Sequence, residues 1–159
     1  MKKIYINFFD KKEKHIYKYI KKIFSYIKYI LFKEKIYNYI LNYIYCNNKY
    51  IIYINNIFFK KKKKTDVISL FYNNNNNNIK YLIGEIYICL EETYINSVYN
   101  FVDYKYEILR NIIHGTLHTI GYLDNNKKNK EIMYEKQKYY ILKYIFKKLI
   151  DKVDKLCMI

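Results

Sequence analysis

The sequence predicts an α/β (α+β) fold, with residues 1–159 as one domain and a small central mixed sheet packed with helices. Stretches of alternating apolar residues interleave with stretches of helical period, which is the pattern of a layered sheet-and-helix structure. No stretch repeats another. Apolar residues make up 52% of 159, and a chain of that length buries roughly 70% of its unfolded surface.

Ile4, Ile6 and Phe8 alternate with Tyr5 and Asn7, which reads as a short strand. Ile16, Ile20, Ile23, Ile27 and Ile30 then recur at helical spacing with lysines between them, giving a long amphipathic helix. Its basic face is read as solvation ahead of a membrane or RNA surface. The stretch YILNYIYC, rich in β-branched and aromatic residues, is a second strand. Asn47 or Asn48 caps a short helix reaching Asn55. Lys60 to Lys64 form a charge run expected in an exposed loop. TDVISLFY and YLIGEIYICL are two more strands, joined by an asparagine loop from Asn73 to Asn78 that reads as drift at a tolerant position. Glu107 to Thr119 is a buried helix. A last long helix runs from about Lys130, with Ile141, Ile145 and Leu149 in its apolar stripe.

The net charge of +16 suggests a polyanionic partner. Saturation with Lys, Asn, Ile and Tyr offers a second source for that charge, since A/T-rich codons supply all four. Residues that depart from this bias are therefore the informative ones. Cys46, Cys89 and Cys157 are odd in number and lack CxxC spacing, which argues for free thiols over a disulfide framework or a cysteine zinc site. No apolar run reaches the length of about 18 residues needed to span a membrane. The first apolar run is shorter than the roughly 7–15 residues of a signal peptide core. A cytoplasmic monomer without a membrane partner is the expectation.

Special residues concentrate in HGTLHTIGYLD, from His114 to Asp124. Two of the three histidines and two of the three glycines lie there. On a helix, His114 and His118 project from one face, one turn apart. Gly121 is suited to end that helix in the left-handed conformation, after which Asp124 can swing back toward the imidazoles. Two histidines and a carboxylate leave a position open, the catalytic rather than the structural pattern for zinc. The same set suits iron(II), so Zn2+ is expected with Fe2+ or another divalent ion as alternatives. Gly115 stands where a zincin peptidase carries its glutamate base, which disfavours a peptidase. A mid-helix glycine costs roughly 1 kcal/mol relative to alanine, so something requires a bare backbone at 115.

This segment resembles the signature HGxLHLxGYxH of the YbeY endoribonuclease family. Thr65-Asp66-Val67-Ile68-Ser69 is similar to the family's T-D/N-V-L-S strand, Gly84-Glu85-Ile86-Tyr87-Ile88 to its G-D-I-x-I strand, and Glu107-Ile108-Leu109-Arg110 to its E-L-x-R turn before the metal helix. The resemblance runs from about Tyr43 to the final helix. It implies a zinc-dependent, single-strand-specific endoribonuclease with a central sheet and a metal in a cleft. Such an enzyme acts in maturing the 3′ end of 16S ribosomal RNA and in ribosome quality control. Single-stranded RNA, ribosomal RNA and the small ribosomal subunit are the implied partners. Two departures stand out. Asp124 replaces the usual third histidine, as in one branch of the family. Phe59 falls where many members place an arginine, which leaves Lys60 or Lys61 to substitute.

An ion on His114, His118 and Asp124 would bring the pKa of a bound water toward about 7, and that water or hydroxide is the expected attacking group on the phosphodiester. Lys60, Lys61, Lys62, Lys63, Lys64 and Arg110 are candidate RNA contacts. Arg110, the only arginine in the chain, has a second reading as the partner of Glu107, three residues away. The rival function is a non-catalytic ribosome-assembly factor in which the metal is structural.

Overall fold

The computed structural model describes residues 4–9, 14–74 and 81–157. Strand β1 (Ile4–Phe9) leads into α1 (Lys14–Lys33), β2 (Tyr39–Cys46), α2 (Asn48–Phe59), β3 (Val67–Asn74) and β4 (Tyr81–Cys89). Helices α3 (Leu90–Tyr99), α4 (Tyr104–Thr119) and α5 (Lys127–Cys157) follow. The sheet runs β1-β2-β4-β3. The pairs β1–β2 and β2–β4 are parallel, and β3 closes one side antiparallel to β4. It is the mixed sheet that the alternating segments predict.

Alternation along the strands sorts side chains into two cores. On one face, Tyr39, Leu41, Tyr43, Ile86 and Ile88 pack with Ile23, Ile27 and Ile30 of α1, with Ile108, Ile112 and Leu117 of α4, and with Tyr140 and Tyr144 of α5. On the other, Ile68, Leu70, Tyr87 and Cys89 meet Ile51 and Ile54 of α2. Cys46 and Cys89 are free thiols; the side chain of Cys157 lies outside those described. No described helix is long and apolar enough to cross a membrane.

Several expected boundaries move. Asn47, not Asn48, caps α2, accepting from the Tyr50 amide at 2.9 Å. The helix then runs past Asn55 to Phe59, because the turn that stops it is made by Lys60 at φ 57°. Helix α4 begins at Tyr104 rather than Glu107, since the Asp103 carboxylate caps the amides of Lys105 and Tyr106. The Glu107–Arg110 segment lies inside the helix, as the expected span to Thr119 places it. Helix α5 starts at Lys127, with Asn126 accepting from the Asn129 amide. Asn73 and Asn74 belong to β3; the rest of the predicted asparagine loop lies outside the described residues.

Helix α3 is absent from the sequence reading, which places its first residue, Leu90, in the preceding strand. The buried residues of α3 are Thr93 and Ser97, so its inward face is polar and apolar periodicity is silent there. Glu91 and Glu92 in its first turn, favourable to the positive end of a helix dipole, were the available signal.

Candidate metal centre

Helix α4 lies against the sheet where side chains are missing. A Cβ at Gly115 would sit 2.6 Å from Ile86 Cγ2, and one at Gly84 would sit 2.8 Å from Leu41 Cδ1 and 3.0 Å from Thr119 Cβ. Tyrosines of β2 pin the end of the helix. The Tyr39 hydroxyl donates to the Thr119 carbonyl at 2.8 Å, and the Tyr43 hydroxyl hydrogen-bonds Thr116 Oγ1 at 2.7 Å. Tyr39 thereby satisfies one of the carbonyls that a helix end leaves without an internal partner.

The helix ends in a Schellman turn. The Tyr122 amide donates to the Leu117 carbonyl at 3.1 Å and the Gly121 amide to the His118 carbonyl at 3.1 Å. Gly121 has φ 104°, a conformation that glycine adopts at no steric cost. The chain reverses there and brings Asp124 back. His114 Nε2 and His118 Nε2 lie 3.1 Å apart, and Asp124 Oδ2 is 3.8 Å from His118 Nε2. One ligand atom from each of the three falls within 4.8 Å of the others. Ligand atoms around a four-coordinate ion with bonds near 2.0–2.2 Å are roughly 3.3 Å apart, so the donor set fits a divalent ion with only a small inward swing of Asp124.

The far ring nitrogens are also engaged. His118 Nδ1 lies 2.9 Å from the Tyr122 carbonyl, which can only accept, so the proton sits on Nδ1 and the Nε2 lone pair points toward His114. His114 Nδ1 lies 2.9 Å from Gln137 Oε1 on α5, which sets the second ring in the same way. Burial, and secondarily the neighbouring His118, pushes the His114 pKa down to about 4, against partial opposition from Gln137. At neutral pH its imidazole is uncharged and able to ligate.

The cluster opens on a cleft of about 560 Å³. Lys61, Lys63 and Lys64 line it together with the exposed rings of Phe59 and Phe71. Lys60 and Lys62 lie outside the lining. The loop is tethered by the buried Asn55, whose amide donates to the Lys63 carbonyl at 2.8 Å. Lys64 Nζ is 3.4 Å from Glu92 Oε1.

Arg110 is placed elsewhere. Its Nε and Nη2 donate to Glu107 Oε1 at 2.9 and 2.7 Å, and Nη2 also reaches Asp66 Oδ2 and Asn111 Oδ1, each at 2.8 Å. It is absent from the cleft lining, and Glu107, its principal partner, is 1% exposed. Of its two sequence readings, the pair with Glu107 is the one this geometry contains.

Sequence reasoning missed Gln137. A signal was present: it is the only glutamine in the chain, another departure from the compositional bias.

Two histidines on a sheet-backed helix and a carboxylate from the next turn, beside a cleft lined in part by lysines, define the class: an α/β protein with a group of side chains that could hold a metal ion. The chain belongs to the YbeY endoribonuclease family, whose sequence model, described as Endoribonuclease YbeY, matches residues 5–145. Endoribonuclease YbeY of Karelsulcia muelleri is 33% identical over 139 residues, covering 86% of this chain and 93% of that protein. The Cytophaga hutchinsonii protein of the same name is 31% identical over 137 residues, covering 86% and 94%. Borrelia recurrentis has another, 38% identical over 122 residues, covering 76% and 80%. Among solved structures, the solution structure of a Thermotoga maritima protein matches with a TM-score of 0.56 and 26% identity over 87% of each chain.

Proposed function

We propose that the protein is a single-strand-specific, metal-dependent endoribonuclease that matures the 3′ end of 16S ribosomal RNA and takes part in ribosome quality control. The observation that carries this reading is the convergence of His114, His118 and Asp124 at a cleft lined by lysines. The curated relatives' shared name, Endoribonuclease YbeY, supports the reaction class. Zn2+ is the ion best matched by two imidazoles and a carboxylate, and Fe2+ shares that preference.

His114 Nε2, His118 Nε2 and Asp124 Oδ2 would hold the ion. When bound, it supplies Lewis acidity and an activated water for phosphodiester hydrolysis. The chain's own residues do the rest. Gln137 and the Tyr122 carbonyl keep the ring protons on Nδ1, leaving both Nε2 lone pairs turned inward. Lys61, Lys63 and Lys64 draw the phosphate backbone into the cleft. Phe59 and Phe71 present ring faces on which unpaired bases stack, an interaction open to single strands and closed to a stacked duplex. Lysine lacks the planar fork with which arginine grips phosphate, so the lysine loop attracts the strand more than it orients it.

His114→Ala tests the reading when single-strand cleavage and melting temperature are measured together. Cleavage should be lost while folding and most RNA affinity persist, because the lysines supply the long-range attraction. Persistent cleavage at the wild-type rate would refute the catalytic role. A collapse in melting temperature, with no cleavage by the wild type, would favour an assembly factor whose metal is coupled to folding.

A further inference from the structure

We propose that Glu34 is a positioning residue that sets both histidines of the candidate metal centre through one carboxylate. The inference rests on the metal reading above. Glu34 follows α1, far in sequence from the ligands, and its side chain is 14% exposed. Three donors converge on it. The Tyr122 hydroxyl reaches Oε2 at 2.7 Å, Lys136 Nζ reaches Oε1 at 2.9 Å, and the Tyr140 hydroxyl donates to the same Oε1. Lys136 Nζ also lies 5.5 Å from the centre of the Tyr122 ring.

The partners of Glu34 are the neighbours of the histidine acceptors. Tyr122 gives its hydroxyl to Glu34 and its carbonyl to His118 Nδ1. Lys136 precedes Gln137, whose Oε1 meets His114 Nδ1. One carboxylate thus ties the turn that orients one ring to the helix that orients the other. A carboxylate suits this junction because it offers acceptor sites to three donors and carries the charge that Lys136 requires. An amide in its place keeps the size, loses the charge, and turns an N–H group toward one of the donors. Outer partners of ligating histidines fix ring orientation and basicity, and their loss costs about 10–100-fold in metal affinity. Glu34 stands one step further out but acts on both rings.

The test is zinc affinity, measured by competition with a fluorescent chelator on purified, metal-free full-length protein. Glu34→Gln and Tyr122→Phe should each weaken zinc binding about 10-fold, and Gln137→Leu by a similar factor. Gln137→Glu, which keeps an acceptor facing His114, should retain wild-type affinity or exceed it. The double variant Glu34→Gln/Gln137→Leu should lose less than the product of the single losses, because the two share the path through the His114 ring. Ser97→Ala, which removes the buried hydroxyl's bond to the Tyr94 carbonyl, is the control for lost stability alone; it should lower the melting temperature and leave zinc affinity unchanged. A zinc dissociation constant within two-fold of wild type in both Glu34→Gln and Tyr122→Phe would overturn the positioning role and leave the metal centre standing. Failure of the wild type itself to bind zinc would overturn both.

Discussion

Gly115 on α4 rides directly over Ile86 on β4, so close that an added methyl would stand 2.6 Å from Ile86 Cγ2. Gly115→Ala sets two effects against each other. Alanine gains about 1 kcal/mol of helix propensity, whereas overpacking a filled core costs about 1–3 kcal/mol. Ile86 is fully buried and branched at Cβ, so it yields little, and the cost should win. Urea unfolding should show a net loss of up to about 2 kcal/mol, and stabilisation would contradict the packing account.

The lysine loop divides into residues that line the cleft and residues that do not. Replacing Lys61, Lys63 and Lys64 with glutamine should weaken binding of a single-stranded RNA. The slope of log affinity against log salt should fall by about 0.7 for each phosphate that is no longer neutralised. Replacing Lys60 and Lys62, which lie outside the lining, should change that slope less. Equal effects from the two sets would mean that the loop acts only as diffuse charge.

Phe71 is 62% exposed and lines the cleft. Phe71→Ala should leave the melting temperature nearly unchanged, since the ring packs against little. It should weaken single-stranded RNA binding by about 1–3 kcal/mol, the range for one stacked base. Undiminished affinity in a fluorescence-anisotropy titration would remove Phe71 from the RNA path.

Acid should destabilise the metal-free protein through His114. Its pKa falls from 6.5 to about 4 on folding, chiefly by burial. Between those values the unfolded chain binds the proton and the folded chain does not, so stability rises with pH across the window. The contribution is complete above about pH 6.5 and is lost as the pH falls toward 4, amounting to on the order of 3 kcal/mol. Urea unfolding at a series of pH values should show this slope in the wild type and a flatter one in His114→Gln. Parallel profiles would mean that His114 titrates alike in both states.

The parts of the fold legible in the sequence are those that bury apolar side chains with a regular period. The strands β2 and β4 and the stripe of α1 are of this kind, since Leu41, Ile86 and Ile27 recur where an inward face requires them. The polar face of α3 was not legible. Its buried residues are Thr93 and Ser97, and Thr93 is bonded to the buried Asn111 of α4, so α3 offered no apolar stripe to detect. The three candidate ligands were readable because helical spacing and a glycine turn are local geometry. Gln137 and Glu34 were not, because their roles come from contacts across the chain that no local period encodes.

The dependence of His114 on Gln137 also orders events in time. All three candidate ligands precede α5 in the chain, while the acceptor that sets His114 lies within it. Synthesis proceeds from the N-terminus at about 5–20 residues per second. A nascent chain that has just released Asp124 therefore carries the ligands without the group that aims the first of them. On the proposed function, a nuclease that emerges beside ribosomal RNA completes its centre only once α5 has been made and has docked.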